Sequence, residues 1–222
     1  MTGATPRTRI ITLDLHDAEF SFNAGQAAMV GLHGSRLRKP YSIASAPWEL
    51  RKTGLLQMLA QIEDAGGLDP HLELAAPGTQ LDLEGPFGTF GLPPDETIPL
   101  LFVAGGTGIA PLRSMLVERL SRPTIVPMAL IYSARSADEF AFRAELDALA
   151  TAGRIAAHFT VTRDDGTWPG RRGRIDEALL KEALPSLQSL CLVCGPPQLV
   201  ADARALLRKL GVGDERILIE NY

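Results

Sequence analysis

Pro99-Leu100-Leu101-Phe102-Val103-Ala104-Gly105-Gly106-Thr107-Gly108-Ile109-Ala110-Pro111 is the stretch on which the reading of this 222-residue chain turns. Its first six residues form an unbroken apolar run, as expected of a strand buried on both faces of a parallel sheet. A glycine loop follows, and then an amphipathic segment, Pro111 to Arg122, that reads as a helix. Glycine tolerates positive φ and lets a ligand approach the backbone closely. Proline suits the first helical turn, where its missing N–H has no partner to lose. The N-terminus of a helix offers free N–H groups and a positive dipole end, a setting suited to a pyrophosphate. The loop lacks the G-x-G-x-x-G spacing of the common dinucleotide fingerprint, and no Gly-Lys-Ser/Thr of a P-loop follows it. Its alternative reading is a tight turn without a ligand.

Downstream, strand-like and helix-like segments alternate. Ile125–Tyr132, Ile155–Val161, Leu190–Val193 and Arg216–Ile219 read as strands, and Asp138–Ala150, Ile175–Leu184 and Gln198–Leu210 as helices. This rhythm predicts a parallel sheet covered on both faces, an α/β Rossmann-like domain. Upstream the pattern differs. Thr8–Leu15, Gln26–Leu32, Tyr41–Ser45, Leu55–Ile62 and Gln80–Glu84 are short strand candidates with turn residues between them. Such spacing suggests an antiparallel barrel or sandwich. Leu92-Pro93-Pro94-Asp95 reads as a linker, which gives two expected domains, 1–94 and 95–222.

Composition narrows the function. The 45% hydrophobic and 22% charged content is that of an ordinary globular protein. A net charge of −4 gives no basic stripe, so no nucleic-acid partner is expected. The start, MTGATPRTRI, lacks the apolar core of a signal peptide, and no run is long enough to span a bilayer. The expectation is a cytoplasmic protein with no membrane insertion. His16, His33, His71 and His158 are scattered without metal-ligand spacing, so no metal site is expected. The two cysteines, Cys191 and Cys194, fall short of the roughly four thiolates that hold an iron–sulfur cluster. They lie in an apolar strand candidate, where residues three apart face opposite sides. A redox Cys-x-x-Cys pair is therefore disfavoured.

Four motifs in order carry a family resemblance: Arg38-Lys39-Pro40-Tyr41-Ser42-Ile43-Ala44-Ser45, Gly85-Pro86-Phe87-Gly88, Ala104–Pro111 and Val193-Cys194-Gly195-Pro196-Pro197. Together they resemble the ferredoxin–NADP reductase superfamily across nearly the whole chain. The resemblance implies an antiparallel flavin-binding β-barrel followed by a nicotinamide-nucleotide domain, with FAD in preference to FMN and no iron–sulfur domain. It also implies residue roles. Lys39, Pro40, Tyr41 and Ser42 would hold the flavin, with Tyr41 packed along it and the Ser42 hydroxyl near N5. Lys39 stands where the family usually has Arg, and a lysine cannot make a bidentate phosphate contact. Arg38, next to it, would point the other way on a strand. Gly67 and Leu68 would offer backbone N–H groups to the flavin pyrophosphate, where Asp69 replaces a usual small hydroxyl residue. Gly105, Gly106, Thr107, Gly108 and Pro111, with Gly195 and Pro196, would hold the nicotinamide nucleotide. Cys194 would sit by the nicotinamide, and Tyr222 would stack on the flavin ring, making Ser42, Cys194 and Tyr222 the catalytic set.

Ser133 and Arg135 follow one strand candidate, Thr162 and Arg163 the next, and Arg171 and Arg172 come just after. Arginines with a neighbouring hydroxyl suit a 2′-phosphate, and neither strand end carries an adjacent acid. NADP is therefore expected over NAD as co-substrate. The implied activity is a flavin-dependent NAD(P)H oxidoreductase that delivers electrons to a separate acceptor such as ferredoxin, flavodoxin or an oxygenase component. Two alternatives remain on sequence alone: a flavin reductase that uses flavin as substrate, which Lys39 and Asp69 favour, and a non-catalytic flavin- or nucleotide-binding subunit.

Overall fold

The computed structural model describes residues 1–16, 18–61, 72, 75–163 and 166–221. The first half contains two three-stranded antiparallel sheets. One has the order β1 (Thr2–Thr5), β2 (Thr8–Asp14), β5 (Leu55–Gln61). The other has the order β4 (Lys39–Ser42), β3 (Ala27–Leu32), β6 (Leu81–Phe87). A bridge between Ile43 and Met58 links the two sheets. Ile11, Leu13, Val30, Ile43, Leu56 and Met58 fill the core between them. These residues come from strands that alternate inside and outside, the pattern of a sheet with one wet face.

Between β4 and β5 lies a helix the sequence reading lacked, α1 (Pro47–Thr53). The sequence pattern gives a strand over Tyr41–Ser45, with Pro47 just past its end. In the structure it sits at the first helical turn, the Glu49 carboxylate accepts from the Ala46 N–H at 2.7 Å, and Gly54 closes the helix at φ 68°. Proline at the start, an acid three residues past the cap and a left-handed glycine at the end are all local helix signals.

The second half is one six-stranded parallel sheet. Its order is β10 (Arg171–Arg172), β9 (Ala156–Val161), β8 (Met128–Ala134), β7 (Leu100–Gly105), β11 (Leu190–Gly195), β12 (Ile217–Asn221). The strand predicted from Ile125 starts at Met128, after Pro127, and Ile125 itself is 93% exposed. Strands β7, β8 and β11 are buried along their whole length. On one face Phe102, Ala104, Leu130 and Tyr132 pack against α2 (Ile109–Leu120) and α3 (Arg143–Thr151). On the other, Leu101, Val103, Ile131 and Val193 pack against α4 (Glu177–Ala183) and α5 (Pro197–Lys209). Cys194 belongs to the first core and Cys191 to the second, so the two thiols do face opposite sides.

The halves are joined by hydrogen bonds between α2 and the β4–α1 region. Arg113, 6% exposed, donates to the Ala44 carbonyl at 2.8 Å, to Glu49 at 3.0 and 3.1 Å, and to Glu145 of α3 at 2.6 and 2.8 Å. Ser114 Oγ donates to the Ser45 carbonyl at 2.6 Å. Burial works against the charge of Arg113, but the two carboxylates outweigh it and hold its pKa above the ordinary value.

Candidate active site

The order of the parallel sheet reverses at its centre: β8, β9 and β10 lie to one side of β7, and β11 and β12 to the other. At such a reversal the loops beyond the strand ends diverge and leave a crevice. The glycine loop stands there. Gly106–Gly108 form a 3-10 turn between β7 and α2, and Gly106 has φ 52°. The Tyr132 hydroxyl donates to the Gly106 carbonyl at 3.0 Å and pins the loop. Across the crevice comes the turn after β11. A Cβ on Gly195 would lie 3.1 Å from Gly105 backbone atoms, and one on Gly108 would lie 2.3 Å from the Cys194 carbonyl oxygen. Here two loops meet backbone to backbone, and only glycine allows it.

This crevice opens into a cleft of about 340 Å³. Gly105, Gly106, Thr107, Ser133, Arg135, Thr162 and Pro196 all line it, so the structure gathers most of the predicted nucleotide residues in one place. Pro111 is buried in the first turn of α2 behind the loop. Arg163 follows Thr162, and its N–H donates to the Arg135 carbonyl at 2.7 Å. Arg171 and Arg172 are engaged elsewhere: Arg171 pairs with Asp176 at 2.7 Å and Arg172 bonds the Trp168 carbonyl. The sequence reading saw no acid at these strand ends, yet Glu139, four residues past Arg135, lines the same cleft. Thr5, Arg7, Thr8 and Gln61 of the first half complete the wall, so the cleft lies between the two halves.

Cys194 ends β11, buried beside Ala104 of β7 and Glu220 of β12. Its Sγ donates to Glu220 Oε2 at 3.8 Å. Burial pushes the Cys194 thiol far above its ordinary value, and the Glu220 charge adds to the shift. Burial also raises the Glu220 carboxyl, against the pull of the thiol. The sequence reading missed Glu220. Its signal is a register one: Cys194 and Glu220 are direct partners in the β11–β12 ladder. A neutral thiol beside a carboxyl can donate or relay a proton but is no nucleophile.

On the flavin side, β4 pairs with β3 so that Tyr41 stands opposite Ala28 and Ser42 opposite Ala27. Strand alternation places Lys39 and Tyr41 on one face. Tyr41 is half-buried, and burial pushes its phenol up to about 12. Arg38 is turned away and donates to Asp82 of β6 at 2.7 Å, as its position beside Lys39 predicted. Gly67, Leu68, Asp69, His71 and Tyr222 lie outside the described residues.

Comparison with known proteins now decides the family. Residues 3–91 match the oxidoreductase FAD-binding domain, and residues 102–205 match the oxidoreductase NAD-binding domain. Ferredoxin–NADP reductase B of Sorangium cellulosum is 33% identical over 230 residues, an alignment spanning 98% of this chain and 93% of that protein. The chain belongs to the ferredoxin–NADP reductase superfamily. As a superfamily member it is a flavin-dependent NAD(P)H electron-transfer oxidoreductase, with FAD as cofactor and NADP or NAD as co-substrate. NADH-cytochrome b5 reductase 1 of Eremothecium gossypii is 27% identical over 88% of this chain and 70% of that protein. An Amycolatopsis cytochrome P450 reductase superposes with a TM-score of 0.84 at 22% identity, over 99% of this chain and 66% of that one. Among the described residues no helix is long and apolar enough to cross a membrane.

The residues present fit both groups. The close backbone packing of the loops after β7 and β11, which a Cβ on Gly108 would break, holds the glycine loop that opens α2 at the cleft, and the N-terminus of a helix suits a pyrophosphate. On β4, Tyr41 and Lys39 share a face with an aromatic body and a charge, as a flavin phosphate ester requires.

Proposed function

We propose that this protein takes reducing equivalents from NADPH and delivers them, through FAD, to a separate electron-carrier protein of the ferredoxin or flavodoxin kind. FAD, when bound, accepts the two electrons of the nicotinamide together and can release them singly. The chain's own residues bind and orient. Residues 1–94 act as the flavin domain and residues 95–222 as the nucleotide domain. Lys39 neutralises flavin phosphate, Tyr41 packs along the ring, and the Ser42 hydroxyl donates toward the reacting edge. Gly105, Gly106, Thr107 and Gly108 offer backbone N–H groups to the nucleotide pyrophosphate, backed by α2 from Pro111. Gly195 and Pro196 let the nicotinamide pass between the halves, and Cys194 stands beside it with Glu220 behind. Arg135 and Arg163, with Ser133 and Thr162, receive the 2′-phosphate. The expected setting is the cytoplasm.

The observation that carries this reading is the cleft itself, in which the glycine loop of the second half faces Thr5, Thr8 and Gln61 of the first. A hydride donor seated there lies between the two domains, with proximity replacing a bimolecular encounter. The test is anaerobic reduction of the FAD-loaded protein with NADPH and NADH in turn, followed by titration with ferredoxin, flavodoxin, cytochrome b5 and an oxygenase component. Rapid bleaching by NADPH, and reoxidation by ferredoxin or flavodoxin, are expected. Reoxidation by cytochrome b5 or an oxygenase component alone would reassign the acceptor, and no bleaching by either nucleotide would refute the activity.

A further inference from the structure

Tyr132 is a core residue with a polar tip. It is fully buried on β8, opposite Ala104 of β7 and Phe159 of β9, and its ring meets Phe140 edge to face with centroids 5.0 Å apart. A phenylalanine would satisfy that packing. The hydroxyl adds a burial cost that only hydrogen bonds offset. It makes such bonds on two sides. The Ala141 N–H donates to Tyr132 Oη at 3.3 Å, and Oη donates to the Gly106 carbonyl at 3.0 Å. A hydroxyl has one proton, so with Ala141 donating to the oxygen that proton is directed at Gly106.

The Gly106 carbonyl is held twice, since the Ile109 N–H also bonds it as α2 begins. A trans peptide sets its carbonyl and the following N–H on opposite sides. With the Gly106 carbonyl drawn back to Tyr132 and Ile109, the Thr107 N–H is turned the other way, and Thr107 lines the cleft. Sterics alone do not fix this orientation. Gly106 stands at φ 52°, and a glycine has no Cβ to bar the alternatives. Turned over, the same peptide would present a carbonyl oxygen to the phosphates of a dinucleotide, and its negative end would oppose them. The glycine that lets a ligand come close therefore leaves the polarity of the loop open, and a side chain decides it.

We propose that Tyr132 is a positioning residue for the nucleotide: its hydroxyl holds the Gly106–Thr107 peptide in the orientation that presents the Thr107 N–H to the dinucleotide pyrophosphate. This rests on the reading of the cleft as the NAD(P)H site. The pyrophosphate is common to both nucleotides, so the hydroxyl acts on NADH and NADPH alike.

The experiment compares the FAD-loaded full chain with two variants. Tyr132→Phe removes the hydroxyl and keeps the ring, whereas Phe159→Leu loosens the same aromatic cluster and keeps the hydroxyl. Calorimetry gives Kd for NAD⁺ and NADP⁺, and ferricyanide reduction gives KM and kcat with NADH and NADPH. Tyr132→Phe is expected to raise Kd and KM at least about fivefold, by the same factor for both nucleotides, with kcat within about twofold of wild type, the pattern of lost uniform binding. Phe159→Leu is expected to lower the melting temperature and leave Kd within about twofold. In the wild type, residue-resolved amide exchange should show the Thr107 N–H slowed at least about fivefold by either nucleotide, a measurement that stands even if Tyr132→Phe does not fold. Three results overturn the proposal: an unchanged Kd in Tyr132→Phe, a rise confined to NADP⁺, or a Thr107 N–H whose exchange neither nucleotide slows. An equal rise in Phe159→Leu would assign the effect to packing and overturn it too. Wild-type protein that binds neither nucleotide would instead overturn the reading of the cleft, and this inference with it.

Discussion

In the parallel sheet every residue of β7, β8 and β11 is buried, whereas β2 and β5 of the antiparallel half mix buried, half-buried and exposed positions. The difference is one of where binding geometry is stored. The nucleotide half holds its ligand loop with backbone: Gly105 and Gly195 end strands clamped from both faces, and Gly108 packs directly on the Cys194 backbone, so no side chain is needed to place the loop. The flavin half presents side chains from a four-residue strand, Lys39–Ser42, paired through β3 on one side only. Its orientation comes in good part from outside, through Arg113 on the nucleotide half. A rigid cradle and a borrowed alignment predict different sensitivities to substitution.

The largest effect is expected where the two halves join. Arg113→Ala leaves Glu49 and Glu145 facing a void without their cation. Removing one partner of a buried ion pair costs about 3–5 kcal/mol, and the partial exposure of the carboxylates places this site near the lower figure. Urea unfolding should show that loss. Turnover should fall more than nucleotide affinity does, since the Ala44 carbonyl beside the flavin strand loses its anchor while the glycine loop keeps its own.

Next is the cradle. Gly108→Ala puts a methyl 2.3 Å from the Cys194 carbonyl, and neither backbone has room to yield cheaply. Overpacking of this kind costs about 1–3 kcal/mol. Loop and strand must separate, so nucleotide affinity should fall about tenfold or more, 1.4 kcal/mol being a factor of ten. Flavin content should stay at the wild-type level. An equal loss of flavin would show that the two halves are not independent in this respect.

The same contrast explains what could be read from sequence. Continuous apolar runs such as Leu100–Ala104 and Leu190–Val193 have one reading, and the glycine loop between strand and helix marks the candidate site. Short mixed segments have several. The edge strand Thr2–Thr5 carries no signal in the sequence reading, and neither does the helix Pro47–Thr53, although Pro47, Glu49 and Gly54 mark a capped helix. Arg113, Glu139 and Glu220 stayed hidden for a different reason. Their significance lies in partners 26 to 132 residues away in sequence, Arg113 with Glu49 and Glu145, Glu139 with Arg7, Glu220 with Cys194, and no local pattern reports such a pairing.

Side chains rather than backbone decide the choice between nucleotides, so the effect there should be smaller and selective. Arg135→Ala and Arg163→Ala each remove a charge from the exposed rim near Ser133 and Thr162. A charge-assisted hydrogen bond is worth roughly 1.5–3 kcal/mol. The Michaelis constant for NADPH should rise about tenfold, with that for NADH nearly unchanged. Equal losses for both would place these arginines on the pyrophosphate, and a wild-type preference for NADH would assign Glu139 the deciding role.

The smallest effect concerns Glu220, a titrating side chain paired with Cys194 at the end of the fully buried strand β11. Its carboxyl is raised above the ordinary 4.5 chiefly by burial. A carboxyl that is harder to ionise in the folded state binds protons more tightly there than in the unfolded chain. Its contribution to stability is therefore fully present below about pH 4.5 and is lost as pH rises through the folded-state value. Asp82 and Asp176 act in the opposite sense, since hydrogen bonds from His33 to the first and from the Leu179 N–H to the second lower their carboxyls. The raw pH profile sums both kinds, so the readout is the difference between wild type and Glu220→Gln. Between pH 4.5 and 7 the urea midpoint of the variant should gain on that of the wild type, modestly, because the Glu220 carboxylate keeps part of its water. A difference that does not change with pH would mean that Glu220 ionises as freely folded as unfolded, and that the thiol of Cys194 has a charged neighbour throughout.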